Sequence, residues 1–157
     1  MAPSLAKLSK ISWEFNGAKT RTLTHGYHPF HAKFIPQIPR TIIEHLTKKG
    51  DIVLDPFCGS GTTLVEAHTL KRNTIGIDIA PLATLISKVK TTFIDPNKLE
   101  KARIELYQMI DSGKTKAFVP DFPDKNIWYH DKTLQELGII WGQILTFEKK
   151  NPNIFDF

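Results

Sequence analysis

Nine consecutive residues, Asp55-Pro56-Phe57-Cys58-Gly59-Ser60-Gly61-Thr62-Thr63, constrain what this chain can fold into more than any other stretch. They follow the short apolar run Ile52-Val53-Leu54 and precede Leu64, Val65, Ala67 and Leu70, which recur at helical spacing. A strand that ends in a glycine-bearing turn and passes at once into a helix is the connection at which α/β domains hold ligands. Gly59 and Gly61 permit a tight turn and a close approach of a ligand to the backbone. A helix starting near Thr62 would aim its unpaired N–H groups at the same place, a setting that favours a carboxylate or a phosphate.

The flanking sequence predicts an alternating order. A helix is expected from near Pro39, with Ile42, Ile43 and Leu46 on its apolar face and Gly50 as its stop. A strand over Ile52–Asp55, a helix over Thr62–Leu70, a second strand over Asn73–Asp78 and a helix from Pro81 to about Val89 follow. This order indicates parallel strands with helices against them. Asp95-Pro96 reads as the N-cap and first turn of a helix running to Asp111 and stopped by Gly113. Residues 114–131 read as a proline-broken loop with a short strand at Ala117–Val119. Thr133 with Glu136 forms a capping box for a last helix, with Leu134, Leu137, Trp141, Ile144 and Leu145 as its apolar face. The expected organisation is an N-terminal extension (1–24), a core (25–92) and a helical and loop extension (93–157).

The turn admits three kinds of ligand. A nucleotide phosphate loop would end Gly-Lys-Ser/Thr, but Gly61 is followed by Thr62 with no lysine. A dinucleotide fingerprint would place a third glycine where Leu64 stands. S-adenosylmethionine needs both an acid and backbone donors at its amino-acid end. Asp55 could pair with its ammonium group, directly or through water, while the glycine turn approaches the adenosyl part.

DPFCGSGTT closely resembles the cofactor motif of the S-adenosylmethionine-dependent DNA methyltransferases that modify cytosine N4 or adenine N6. Upstream, HAKFIPQIPRTIIEHL resembles the family's segment that precedes the first strand and closes over the methionine end of the cofactor. Downstream, Gly76-Ile77-Asp78-Ile79-Ala80-Pro81-Leu82-Ala83 resembles its second cofactor motif, with Asp78 placed near the spacing at which an acid meets ribose hydroxyls. The likeness covers about residues 25–92. It implies a Rossmann-like methyltransferase fold with an incomplete parallel sheet flanked by helices. It implies S-adenosyl-L-methionine as cofactor, held by Lys33, Phe34, Pro36, Asp55, Pro56, Phe57, Cys58, Gly59, Ser60, Gly61, Thr62, Thr63 and Asp78. The implied activity is direct methyl transfer to an exocyclic amine of double-stranded DNA, in a restriction–modification system. Cytosine N4 is favoured over adenine N6, with neither a covalent protein intermediate nor a metal. A non-catalytic cofactor-binding module and a methyltransferase acting on RNA are the alternatives.

Members of this family hold the flipped base with a Ser/Asn/Asp-Pro-Pro-aromatic motif, and no Pro-Pro pair occurs in the 157 residues. Asn151-Pro152-Asn153-Ile154-Phe155 has one proline and no preceding strand, so no catalytic residue is assigned. Activity is therefore expected to need a second polypeptide or a further C-terminal segment. That segment would pair at the open edge of the first strand, with the apolar tail Ile154-Phe155-Phe157 at the junction.

Other features call for blander readings. His25, His28 and His31 suggest metal ligands, but no cysteine accompanies them and Pro29 breaks any helical face; surface or lid positions are expected. Asp78 could alternatively cap the next helix. Cys58 lies inside the turn and is expected to pack rather than attack a base. Phe118, Phe122, Trp128 and Tyr129 are expected in a core rather than stacked on bases. The net charge of +5 suits a polyanionic partner. One cysteine excludes an internal disulfide, and neither a bilayer-length apolar run nor a secretory signal is apparent, so a cytoplasmic protein without membrane contact is expected.

Overall fold

The computed structural model describes residues 5–113 and 116–151. These form two compact units, one up to Thr92 and the other from Phe93 onward.

The first unit holds α1 (Leu5–Leu8), a 3-10 turn (Leu23–Gly26), α2 (Gln37–Leu46), β1 (Ile52–Asp55), α3 (Thr62–Thr69), β2 (Asn73–Gly76) and α4 (Pro81–Thr91). β1 and β2 pair in parallel, with Ile52 opposite Asn73 and Asp55 opposite Gly76. The pairing runs past the strands' ends, since Asp55 O accepts the Ile77 N–H and Cys58 N–H donates to Ile77 O, both at 2.9 Å. One sheet face packs on α3. A Cβ at Gly76 would lie 2.5 Å from Leu64 Cδ1 and 3.2 Å from Cys58 Cβ, so only glycine allows that approach. The opposite face carries Ile52, Leu54, Ile75 and Ile77, all exposed. The core lies between α2, α3 and α4, with Ile43, Leu64, Val65, Ala67, Ala83 and Ile86 buried.

Three boundaries differ from the sequence reading. α2 ends at Leu46, not at Gly50, because the Thr47 N–H and hydroxyl both donate to Ile43 O where the chain turns extended. α2 begins at Gln37, not near Pro39, because proline is tolerated anywhere in a first turn whose N–H groups have no partner. β2 stops at Gly76 rather than Asp78, since the chain turns to let the Asp78 carboxylate meet backbone N–H groups.

The second unit contains α5 (Pro96–Asp111), α6 (Lys125–Trp128) and α7 (Asp131–Lys150). Asp95 caps α5 as expected, its side chain accepting from the N–H groups of Asn97 and Lys98. The capping box at Thr133 and Glu136 does not form. α7 starts two residues before Thr133, with His130 as N-cap, and Glu136 faces Lys132 instead. No strand forms at Ala117–Val119; the Phe118 N–H donates to Gly138 O of α7 at 2.9 Å. Gly138 is what admits that contact, because a Cβ there would stand 3.0 Å from Phe118 O. Phe118, Phe122, Trp128 and Tyr129 are exposed, not packed in a core. Three of them line an open apolar groove of about 410 Å³ with Leu137 and Trp141 of α7, because short segments on one side of α7 cannot cover aromatic rings on all faces. Pro152, Ile154, Phe155 and Phe157 lie outside the described residues.

Candidate cofactor site

β1 ends at Asp55, and the chain reverses through Pro56–Gly61 into α3. Gly59 and Gly61 both take left-handed conformations, with φ of +49° and +79°. Gly61 is the N-cap of α3, and a Cβ there would lie 2.8 Å from Ser87 Cβ, so glycine is required on two counts. Gly61 N–H donates to Cys58 O at 2.8 Å and closes the turn.

Two acids flank it. Asp55 Oδ1 accepts the Phe57 N–H at 3.1 Å. Asp78 bridges further, Oδ1 accepting from Ala80 N–H and Oδ2 from Gly59 N–H, each at 2.9 Å. These bonds, the one from Ala80 first, hold the Asp78 carboxyl below the ordinary aspartate range. Asp78 is not the N-cap of α4: that residue is Ala80, whose own side chain caps nothing, and Asp78 holds the Ala80 N–H from two residues before it.

Opposite the turn runs the loop of residues 27–36. Its Phe30 ring stands over Gly59, and a cavity of about 70 Å³ opens between residues 30–34 and the turn. Nine of the thirteen residues expected at the site line it: Lys33 and Phe34 from the loop, and Asp55, Phe57–Ser60, Thr62 and Thr63 from the turn. Gly61 shapes the turn from behind, Asp78 supports it, Pro56 is exposed beside it, and Pro36 is buried at the start of α2. Ser60 is buried, and its hydroxyl has no hydrogen-bond partner among the described residues. An orphaned buried hydroxyl beside a cavity is a polar group positioned for a ligand.

Three more residues bear on the site, and of these only Lys90 has no counterpart in the sequence reading. His25 is not a surface or lid residue. It is buried and its Nε2 lies 2.7 Å from Glu66 Oε1, an arrangement that needs a partner 41 positions away and so leaves no local signature. Lys90 is buried with Nζ on Ser60 O at 3.0 Å. Burial, and the Lys33 charge after it, push its ammonium below the ordinary lysine range. Cys58 is buried with Sγ 3.9 Å from Ser87 Oγ, and burial pushes its thiol up, which suits packing rather than nucleophilic attack.

A sequence profile of the DNA methylase family, its N6 and N4 branch, matches residues 5–88, more than half of the chain. The chain belongs to this methylase family. All thirteen expected site residues fall inside the matched segment. Among curated methylases, Type II methyltransferase M.MvaI of Kocuria varians is 38% identical over 153 residues, 90% of this chain and 34% of the relative. Type II methyltransferase M.MjaII of Methanocaldococcus jannaschii is 39% identical over 120 residues, 73% of this chain and 22% of the relative. The chain thus spans between a fifth and about a third of the length of these relatives. Of solved methylase structures, the cytosine-N4-specific PvuII DNA methyltransferase aligns with TM-score 0.42 at 27% identity, over 66% of this chain and 37% of that one. The M1.HpyAVI–SAM complex aligns with TM-score 0.38 at 35% identity, over 40% of this chain and 30% of that one.

Proposed function

We propose that this chain is the cofactor-binding part of a site-specific DNA methyltransferase that transfers a methyl group from S-adenosyl-L-methionine to an exocyclic amine in double-stranded DNA. Cytosine N4 is favoured over adenine N6, and a restriction–modification system is the setting. The observation that carries this reading is the turn itself. Asp55 and the free N–H groups of α3 stand around one cavity at the carboxyl ends of two parallel strands, and Asp78 braces the turn that lines it through the Gly59 N–H.

The donors and acceptors present fit the cofactor's two ends. The Ser60 hydroxyl and the first N–H groups of α3 are donors for a carboxylate, with Lys33 beside them. Asp55 is an acceptor for an ammonium group, and Asp78 retains lone pairs for a diol. Phe34 and Phe57 present exposed ring faces. The enclosed space of about 70 Å³ suits one end of such a molecule, so the rest would lie along the open rim. Bound there, the cofactor supplies an electrophilic methyl group; the chain's own residues bind and orient it.

The chemistry at the base needs a hydrogen-bonding clamp absent from this sequence. A second polypeptide, or a further segment, would supply the Pro-Pro-aromatic motif. Support for such a partner lies in β1, which pairs only with β2 among the described residues, and in the apolar face beside it. Parallel sheets are normally covered on both faces. DNA contact is supported by charge: residues 1–92 carry twelve Lys and Arg against six Asp and Glu, so all of the chain's excess positive charge lies in the segment that holds the candidate site.

The test is calorimetric titration of the folded chain with S-adenosylmethionine, then incubation with labelled cofactor and unmethylated DNA, with and without a polypeptide bearing the motif. Binding, with methylation only in the presence of the added polypeptide, is expected. A folded chain that binds no cofactor overturns the reading. Methylation by the chain alone overturns the need for a partner.

A further inference from the structure

The loop facing the glycine turn is fastened at both ends to one buried carboxylate. Glu66, on the second turn of α3, is only 3% exposed. Its Oε1 lies 2.7 Å from Nε2 of His25, two residues before the loop begins. Its Oε2 accepts from Nη1 of Arg40, four residues after the loop ends, at 3.1 Å. Between these points the chain carries Phe30 over Gly59 and brings Lys33 and Phe34 to the cavity. Lys33 folds back so that Nζ donates to the His25 carbonyl at 2.9 Å, which ties the middle of the loop to the same anchor.

A buried carboxylate is costly unless both oxygens are satisfied, and here each oxygen takes one end of the loop. An independent sign that the loop is held against its own preference is Ala32. Its φ of +55° lies in the left-handed region that disfavours a side chain, and such strain persists only where the surroundings enforce it. Ala32 itself borders the cavity.

We propose that Glu66 is a positioning residue: it clamps the loop of residues 27–36 in the strained conformation that closes the cofactor cavity, through His25 at the entrance and Arg40 at the exit. This rests on the cofactor reading above for its ligand, though not for its effect on the loop. A carboxylate serves the purpose better than an amide, because it offers a charged acceptor to each end of the loop, whereas glutamine is neutral and has one acceptor oxygen.

The experiment uses the full chain with Glu66→Gln, Arg40→Ala and Arg40→Lys. Arg40 is half exposed, so its variants keep the fold even where Glu66→Gln does not. Two quantities are read: amide hydrogen exchange at residues 30–34 against that of α3, and the dissociation constant for S-adenosylmethionine. Glu66→Gln and Arg40→Ala should speed exchange in the loop while α3 stays protected, and should weaken binding on the order of tenfold, as for loss of a charge-assisted hydrogen bond. Arg40→Lys should recover part of both. Folded variants with unchanged loop exchange overturn the clamp, as does acceleration spread equally over loop and α3. A wild-type chain that binds no cofactor overturns the cofactor reading instead, and the exchange data still decide the clamp.

Discussion

The carboxylate of Asp78 accepts the Gly59 N–H at 2.9 Å and so joins the end of the second strand to the turn after the first. Its other oxygen holds the Ala80 N–H, which keeps the start of α4 in line with that turn. One side chain thereby sets the distance between the two segments that would grip opposite ends of a cofactor.

Replacing Asp78 with alanine should therefore weaken S-adenosylmethionine about tenfold or more without unfolding the first unit, as loss of bonds to a charged acceptor does. Calorimetry checks it; unchanged affinity would leave Asp78 a purely structural brace. The pH dependence has a definite sign. Because the folded carboxyl titrates below its ordinary range, its stabilising effect is complete above that range and disappears as pH falls through the depressed folded value. Melting curves of the wild type and Asp78→Asn should converge on acidification, and a constant gap would contradict the assignment.

Gly61→Ala should destabilise the first unit by roughly 2–4 kcal/mol, from a side chain forced into a left-handed conformation and a new Cβ against Ser87. Chemical denaturation measures this. A loss below about 0.5 kcal/mol, the size of an ordinary surface substitution, would show that the turn has room that its geometry denies.

Lys90 gives an alkaline counterpart. Its folded pKa is lowered by burial first and by Lys33 second, so between that value and the ordinary lysine range the unfolded chain holds a proton that the folded chain has shed. Wild-type stability should rise relative to Lys90→Met as pH goes from neutral to about 10. Melting temperatures that run parallel across this range would mean that Lys90 keeps an unperturbed charge.

Cys58 should react slowly with an aromatic disulfide reagent at neutral pH and rapidly once the chain is unfolded. Burial raises its pKa most, and the nearby Asp55 and Asp78 charges add to that, against an opposing bond with Ser87. Rapid labelling of the folded chain would show an open, reactive thiol.

The fold of the first unit was largely legible because its signals are local. A short apolar strand, two glycines and a helical apolar period lie within Ile52–Thr69, and β1 and α3 form there. Where competing local signals were close together, the choice went astray. Thr133–Glu136 has the residues of a capping box, yet α7 begins at Asp131, because two more residues can join the helix with His130 as cap. Phe118–Tyr129 is aromatic enough for a core, but only tertiary placement decides whether enough chain surrounds such rings.

By itself the sequence determined the turn, since Gly59 and Gly61 are the residues that left-handed backbone and close packing demand, and it placed Asp55 at the end of the first strand. The tertiary structure alone decided what those residues face. The buried pairs His25–Glu66 and Lys90–Ser60 span 41 and 30 positions, and a hydrogen bond across such a separation follows from how helices pack, not from any periodicity along the chain.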